Sequence, residues 1–360
     1  MSHDCGQSIH EQVKQAIGER HALSIHGAGS HAFMPGEFAE AQRIDMTAHR
    51  GIIDYQPSEL TLKARAGTPI DEINRTLTEQ GQRLATEVPV FGEGATLGGA
   101  LATGLTGSGR PFLGAVRDHV LGARLVNGHG EIIDCGGQVM KNVAGYDVSR
   151  LVAGAWGALG VILEVSMRVA PQWQTQQTLC FSMAAPEAVQ FCRDIARRYL
   201  PISGTWWADD RLYLRLSGTH AAVQSAVDEL GGEKDLNAAS SEAFWDAVRD
   251  HAHAFFKPRL EQQESADVKL WRIVVPPGAP VPRAEPGVLA IEWGGGLRWW
   301  WHADADEVHR YAREHRGWAW ALGEPVALDA AQRKLMSNIK AAFDPDGVLH
   351  SPLHLQGGAP

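Results

Sequence analysis

The chain has 360 residues, a formal net charge of −9 and four cysteines. That length is the prior for two domains, each able to bury a core, and the acidic balance argues against nucleic acid and anionic membrane surfaces as partners. Cys5, Cys135, Cys180 and Cys192 lack metal-ligand spacing and cannot carry a cysteine-ligated iron–sulfur cluster, so reduced thiols in a cytoplasmic protein are expected.

The N-terminal Met1-Ser2-His3-Asp4 has neither the basic region nor the apolar core of a signal peptide, and no apolar run is long enough to span a bilayer. Ala22 to Ile25 reads as a short buried strand, followed by Gly27 and Gly29, which permit positive φ and close backbone approach. Such a turn can cradle a diphosphate. Its spacing matches a dinucleotide fingerprint, but Met34-Pro35-Gly36 blocks the helix that a Rossmann unit requires there. By itself the turn is equally compatible with an ordinary surface turn.

Thr68, as N-cap, and Pro69 open a helix with an apolar stripe at Ile70, Ile73 and Leu77, ended by Gly81. Gly92 through Gly114 holds eight glycines, with apolar Ala95, Leu97, Ala100, Leu101 and Leu105 between them. A solvated linker would be richer in Ser, Lys and Glu, so backbone packed closely on a ligand is the better reading. His119–Val126 and Glu131–Asp134 flank Asn127-Gly128-His129-Gly130 as a β-hairpin whose turn is structural. A short helix is expected within Ser149–Ala158. From Leu163 to Val169 apolar and polar residues alternate, predicting a half-exposed strand ended by Pro171.

From about Gln172 strands and helices alternate. Strands are expected at Thr178–Met183, Arg211–Leu216, Trp271–Val275, Val288–Trp293 and Leu297–His302. Helices are expected at Pro186–Tyr199, His220–Leu230 and Asp304–His315. This pattern suggests helices on one face of an antiparallel sheet. Pro276–Pro282 is a loop. His251-Ala252-His253 has metal-ligand spacing only on a strand; its aromatic neighbours favour a helix, where the two rings diverge, so no metal site is predicted. Trp299-Trp300-Trp301-His302 reads as a strand packed on both faces, in preference to a wall beside a cofactor. Most of the twelve tryptophans lie in this half, as core, as partner surface or as a roof over a ligand. Finally, Asp329 caps a helix through Phe343, stopped by Asp344-Pro345.

Three blocks stand in order: Ser24-Ile25-His26-Gly27-Ala28-Gly29-Ser30, Ala95-Thr96-Leu97-Gly98-Gly99-Ala100, and Leu159-Gly160-Val161-Ile162. With Arg117-Asp118-His119-Val120-Leu121-Gly122, they resemble the vanillyl-alcohol oxidase family, the p-cresol methylhydroxylase (PCMH) type of FAD-binding protein. Lys141–Asp147 and Ile339–Leu349 are more particular and resemble glycolate oxidase subunits, specifically the smaller FAD-binding E type.

The resemblance implies an α+β fold. It places a two-part PCMH-type FAD-binding domain at 1–172, an α+β cap domain at 173–328, and a segment at 329–360 that returns to the FAD domain. It implies a cofactor site at Ile25, His26, Gly27, Ala28, Gly29, Ser30, Pro89, Ala95, Thr96, Leu97, Gly98, Gly99, Thr103, Gly104, Asp118, Val161 and Ile162. Gly27–Ser30 would hold the diphosphate, Gly98 and Gly99 would lie against diphosphate and isoalloxazine, and Val161 and Ile162 would meet the adenine with their main chain. Some family members attach the flavin to a His near the second loop. This chain has none between Gly92 and Arg117, so FAD is expected to be non-covalent.

Larger family members carry a late His-rich Gly-Asp-Gly-Asn segment for substrate carboxylate and metal, and this sequence has no counterpart. His350-Ser351-Pro352 stands where relatives have Asn-Pro-Gly. No catalytic base is assigned. The function implied is oxidation of glycolate, a small 2-hydroxy acid, together with a larger FAD-binding sister subunit and an iron–sulfur subunit. The chain would be cytoplasmic and reach a membrane only through those partners. The alternatives are a self-contained FAD oxidase of another hydroxy acid or alcohol, and a non-catalytic assembly subunit.

Overall fold

The computed structural model describes residues 3–30, 41–137, 147–233, 238–257, 268–285, 287–324, 326 and 328–350. Met34-Pro35-Gly36, most of Lys141–Asp147, and Ser351-Pro352 lie outside them. Two compact units are present. One comprises residues 1–106, 114–172 and 325–360; the other comprises 107–113 and 173–324. Residues 107–113 therefore belong with the second unit, although they fall inside the 1–172 segment of the sequence reading.

In the first unit, strands Leu23–His26 and Gln42–Asp45 pair in parallel. The main sheet is antiparallel, in the order Ile52–Gln56, Thr61–Arg65, Val161–Pro171, Val120–Val126, Ile132–Gly136. Gln82–Leu84 joins it at the far end of Val161–Pro171. That long strand is central rather than half-exposed. Glu164 forms an ion pair with Lys63 at 2.6 Å and lies 3.8 Å from Arg124, both on neighbouring strands, while Arg168 stays exposed. Cross-strand pairing explains the alternation that suggested a solvated face.

Helix Gly6–Glu19 packs Ile9, Val13 and Ala16 into the same core as Leu62, Ile73, Leu97 and Val165. Each such side chain, fully buried, contributes about 1.5–3 kcal/mol when it is as large as Val or Leu. Helix Ile70–Glu79 begins after Pro69, and Thr68 is not its cap. The Thr68 hydroxyl accepts from Gly51 N–H at 2.9 Å and donates to the Arg65 carbonyl at 2.7 Å. Within 149–158 only Val148–Leu151 is helical; Gly154, Trp156 and Gly157 then take positive φ and break any continuation. The hairpin of Val120–Val126 and Ile132–Gly136 forms as predicted.

Helix Ala330–Phe343, capped by Asp329, returns to this unit. The Lys340 ammonium donates to Asp344, to the Ala158 carbonyl (2.9 Å) and to the Leu349 carbonyl (2.7 Å). Leu349 in turn bridges to Leu23, the first residue of the first strand. Burial lowers the Lys340 pKa, and Asp344 opposes that shift.

The second unit is built on a seven-stranded antiparallel sheet. Its order is Trp318–Ala321, Lys269–Val274, Leu297–His302, Leu289–Glu292, Ile202–Ala208, Arg211–Gly218, Thr175–Ser182. Helices Ala185–Ile195, His220–Leu230 and Ala305–Glu314 cover one face through Trp207, Leu214, Ile273 and Trp300. The other face is covered as well, a correction to the one-sided layer. There Ala238–Arg249 and the turn Ala254–Phe256 pack on Trp206, Ala290 and Trp299. Successive strand residues point to opposite faces, so Trp299 and Trp300 enter different cores, as the sequence pattern implied. His251 and His253 are not helical. His251 stacks on Phe256 at 4.3 Å, and His253 Nδ1 accepts from Phe255 N–H at 3.2 Å. Among the described residues no helix is long and apolar enough to cross a membrane.

His49 contributes to the acid sensitivity of the first unit. It is 1% exposed; Nδ1 accepts from Cys5 N–H at 3.0 Å, which leaves Nε2–H to donate to the Leu163 carbonyl at 3.1 Å. Burial pushes its pKa below the ordinary 6.5, and the Asp4 carboxylate offsets this only in part. Between the folded value and 6.5 the unfolded chain therefore binds the extra proton, and stability falls as pH is lowered through that window. Asp4, lowered mainly by the Gly6 N–H bond, loses its contribution only below 3.8. Urea midpoints measured from pH 7 to pH 5 should fall for the wild type and fall less for His49→Gln, whose amide can make both hydrogen bonds.

Candidate functional site

Two glycine-rich loops meet in the first unit because two side chains are missing. A Cβ at Gly27 would lie 2.8 Å from Thr96 Oγ1, and one at Gly94 would lie 3.4 Å from Ala28 Cβ. The second loop is stitched to the segment ahead of it. Ile70 N–H donates to the Ala95 carbonyl (2.8 Å), Leu97 N–H to Thr68 (2.9 Å) and Gly98 N–H to Ala66 (2.7 Å). Thr96 then caps helix Leu97–Thr103 by accepting from Gly99 N–H at 3.2 Å, and Gly104 closes it in the left-handed conformation. The stretch read as close-packed loop thus contains a short helix.

The glycines differ in what surrounds them. Gly98 is buried, and a Cβ there would meet Ala66 Cβ at 2.7 Å. Gly99 is half-buried, with only Thr96 Oγ1 near its missing Cβ, at 3.1 Å. Gly29 has φ +76°, is exposed, and would place a Cβ in open space. Its neighbours are His26, whose ring meets Ser24 Oγ at 2.6 Å and whose carbonyl accepts from Met46 N–H at 2.8 Å, and Ser30.

The third block connects through residues 153–157. Gly154 N–H donates to the Leu101 carbonyl at 3.0 Å, Trp156 N–H donates to Ala102 at 2.9 Å, and Gly104 approaches Gly154 backbone. A Cβ at Gly157 would touch Ile25 Cδ1 at 3.1 Å, tying this loop to the first block. Val161 and Ile162 pair with Val126 and Leu125 on one side; on the other side the ladder ends at Arg65–Glu164, short of both.

Three predicted positions play supporting parts. The Asp118 carboxylate is exposed and accepts from Ala115 N–H at 2.8 Å, closing the turn ahead of Val120–Val126. Pro89 and Thr103 are buried, and Thr103 Oγ1 donates to the Ala100 carbonyl at 3.3 Å. The sequence reading missed Ala66 and Thr68, which receive the second loop. Ala64-Arg65-Ala66-Gly67 is a strand end without a distinctive composition, and only the fold shows its role.

Adjacent glycine loops, with open space beside Gly29 and a short helix leading away, fit the extended diphosphate of a dinucleotide. Residues 7–136 match a family of FAD binding domains. The glycolate oxidase subunit GlcE of Escherichia coli is 40% identical over 352 residues, 96% of each chain. The glycolate oxidase subunit GlcD of Bacillus subtilis is 30% identical over 128 residues, covering 36% of this chain and 27% of its own. A solved structure of alkyldihydroxyacetonephosphate synthase superposes with a TM-score of 0.68 at 15% identity, covering 96% of this chain and 75% of that one. The fold is that of a PCMH-type FAD-binding oxidoreductase. Within that class, the chain belongs to the GlcE family of glycolate oxidase subunits.

Gly98 and Gly29 should respond differently to substitution. Gly98→Ala overpacks the contact with Ala66 and should cost about 1–3 kcal/mol of stability. Gly29→Val meets no atom, but a β-branched residue at positive φ distorts the loop. It should lower FAD occupancy with a smaller effect on folding. Flavin absorbance and denaturant melts of both variants decide the matter; full occupancy in Gly29→Val would mean that this loop does not touch the cofactor.

Proposed function

We propose that this chain is the FAD-binding subunit of a multi-subunit glycolate oxidase that converts glycolate to glyoxylate. One observation carries the reading: 40% identity to a GlcE subunit extends over 96% of the chain, and so over both units. Bound FAD supplies a two-electron acceptor for the hydride equivalent leaving the hydroxyl-bearing carbon.

The chain's own residues position that cofactor. The backbone of Ile25–Ser30 holds the diphosphate, with Gly29 leaving room for it. Ala95, Thr96, Leu97 and Gly99 line the opposite side; Gly98 acts indirectly, by seating this loop on Ala66. Thr103 and Gly104 anchor the end of the short helix, and Pro89 shapes the approach to the loop. Val161 and Ile162 offer main chain beyond the end of the Thr61–Arg65 ladder, where an adenine can pair. Asp118 works through the turn that it closes.

Electrons leave through other chains in this reading: a larger FAD-binding sister subunit and an iron–sulfur subunit. The match to a GlcD subunit supports the first. The scattered cysteines support the second, because Cys5, Cys135, Cys180 and Cys192 lack the grouping that a cluster needs. The assembly is cytoplasmic and reaches a membrane only through those partners.

The purified chain should be yellow, and acid precipitation should release its FAD into the supernatant. Flavin retained in the pellet would show a covalent link. Glycolate-dependent dye reduction, per flavin, should be far slower for the isolated chain than for the reconstituted complex. Equal turnover in the two would favour a self-contained oxidase.

A further inference from the structure

Trp293 holds a backbone conformation that its side chain disfavours. It opens the turn between strands Leu289–Glu292 and Leu297–His302 at φ +56°, and Gly294 and Gly295 follow at +62° and +104°. For glycine such angles are ordinary. For a bulky indole, here 6% exposed, they are an outlier. A residue stays in that region only where its surroundings over-determine it, and such residues cluster at functional sites. Thr205 Oγ1 accepts from Gly294 N–H at 2.8 Å, and a Cβ at Gly295 would lie 2.8 Å from the Pro277 carbonyl oxygen.

What the conformation achieves is a grip on residues 107–110. Trp293 Nε1 donates to the Gly107 carbonyl at 3.0 Å, the same carbonyl that accepts from Arg110 N–H at 3.2 Å. Ser108 Oγ donates to Glu292, whose other oxygen accepts from Trp299 Nε1 at 2.6 Å. The Arg110 guanidinium carbon lies 4.7 Å from the Trp293 ring centroid, and that of Arg272 lies 5.0 Å from it. Gly107, Ser108 and Gly109 are buried. Residues 107–113 are an excursion of the chain, which leaves the first unit after Thr106 and re-enters it at Gly114. Leu105 and Thr106 alone separate the held segment from Gly104, the C-cap of helix Leu97–Thr103. On the return, Gly114 leads at once into Ala115, whose N–H is held by Asp118.

We propose that Trp293, with Glu292, is a positioning residue for the cofactor. By holding residues 107–110 in the second unit, it tethers the end of helix Leu97–Thr103 and keeps the Ala95–Gly104 loop in its flavin-binding form. The coupling runs along the chain through Leu105 and Thr106, so neither Trp293 nor Glu292 has to touch the flavin. Glycines at 104, 107, 109 and 114 give this stretch many backbone alternatives. A fixed hold removes those alternatives before the cofactor arrives, and FAD then binds without having to order the loop itself. This deepens the FAD reading and rests on it for the placement of the loop beside the cofactor.

The test reads amide hydrogen exchange and FAD affinity on the full chain. Trp293→Phe keeps a ring and loses the donor. Peptides within 97–106 should exchange faster than in the wild type, with or without FAD. The FAD dissociation constant should rise roughly 3- to 10-fold, the loss expected for one hydrogen bond. Trp271→Phe is the control, because it removes a buried indole donor of the same sheet that serves the His302 carbonyl at 3.0 Å. It should change neither reading. Inserting two glycines between Thr106 and Gly107 leaves the grip intact and slackens the tether, so it should reproduce the Trp293→Phe result even if that variant fails to fold. Unchanged exchange over 97–106, unchanged FAD affinity, or the same effects from Trp271→Phe would overturn the proposal. A wild type that binds no FAD, with faster exchange in Trp293→Phe, would overturn the placement of FAD at this loop and keep the tether. FAD bound equally well by all variants, with exchange unchanged, would do the reverse.

Discussion

The first unit is arranged around an atom that Gly98 does not have. Its N–H reaches the Ala66 carbonyl at 2.7 Å, and the position a Cβ would take is 2.7 Å from Ala66 Cβ. That approach sets helix Leu97–Thr103 directly against the end of strand Thr61–Arg65. Thr96 is thereby held where it caps the helix and meets Gly27. The same close packing that joins the second loop to the sheet thus brings the first loop beside it. A glycine in such a place costs backbone entropy, and the return is a contact that no other residue permits.

Much of this architecture was legible in the sequence wherever local signals and tertiary contacts agree. The strand around Leu23, the Asn127–Gly130 hairpin, helix His220–Leu230 and the helix capped by Asp329 all carry their own instructions. The failures share a cause: partners distant in sequence. Thr68 looks like an N-cap, but its hydroxyl serves Gly51 and Arg65. The strand Val161–Pro171 looks half-exposed because the cations that bury Glu164 come from Lys63 and Arg124. Strand Ile202–Ala208 was hidden by Gly204, an unfavourable strand residue needed because the Arg215 guanidinium lies across it, 3.0 Å from where a Cβ would be. Of the cofactor framework, the order of the blocks was readable. The distinct parts of Gly27, Gly98 and Gly29 were not, because they depend on Thr96, Ala66 and open space respectively.

The C-terminal return shows why the first unit needs a segment so late in the chain. Asp344 accepts from Val348 and Leu349 N–H groups at 3.0 and 2.8 Å and from Lys340. A Cβ at Gly128 would collide with it, so the hairpin turn and the end of the last helix are fitted to each other. His129 Nε2 lies 3.1 Å from the Ala342 carbonyl, and Gly128 N–H donates to Phe343. Three regions, near residues 23, 128 and 158, thus converge on one ammonium–carboxylate pair. Removing one partner of such a buried pair typically costs about 3–5 kcal/mol. The cost here would fall on the first strand, which leads straight into the Gly27–Ser30 loop.

Several other buried cations donate to oxygen atoms, although Arg298 Nε is buried without a partner. Arg298 donates to the Ala279 carbonyl at 2.6 Å, to the Pro280 carbonyl and to Tyr311, and so pins the proline-rich 276–282 loop. Arg215 donates to Ser203 through both its hydroxyl and its carbonyl, at 3.0 and 2.7 Å. Lys340 has a carboxylate and two carbonyls. Arg272 departs from this pattern, holding aromatic faces where the others hold oxygen atoms. Ring faces stabilise a desolvated cation by about 2 kcal/mol.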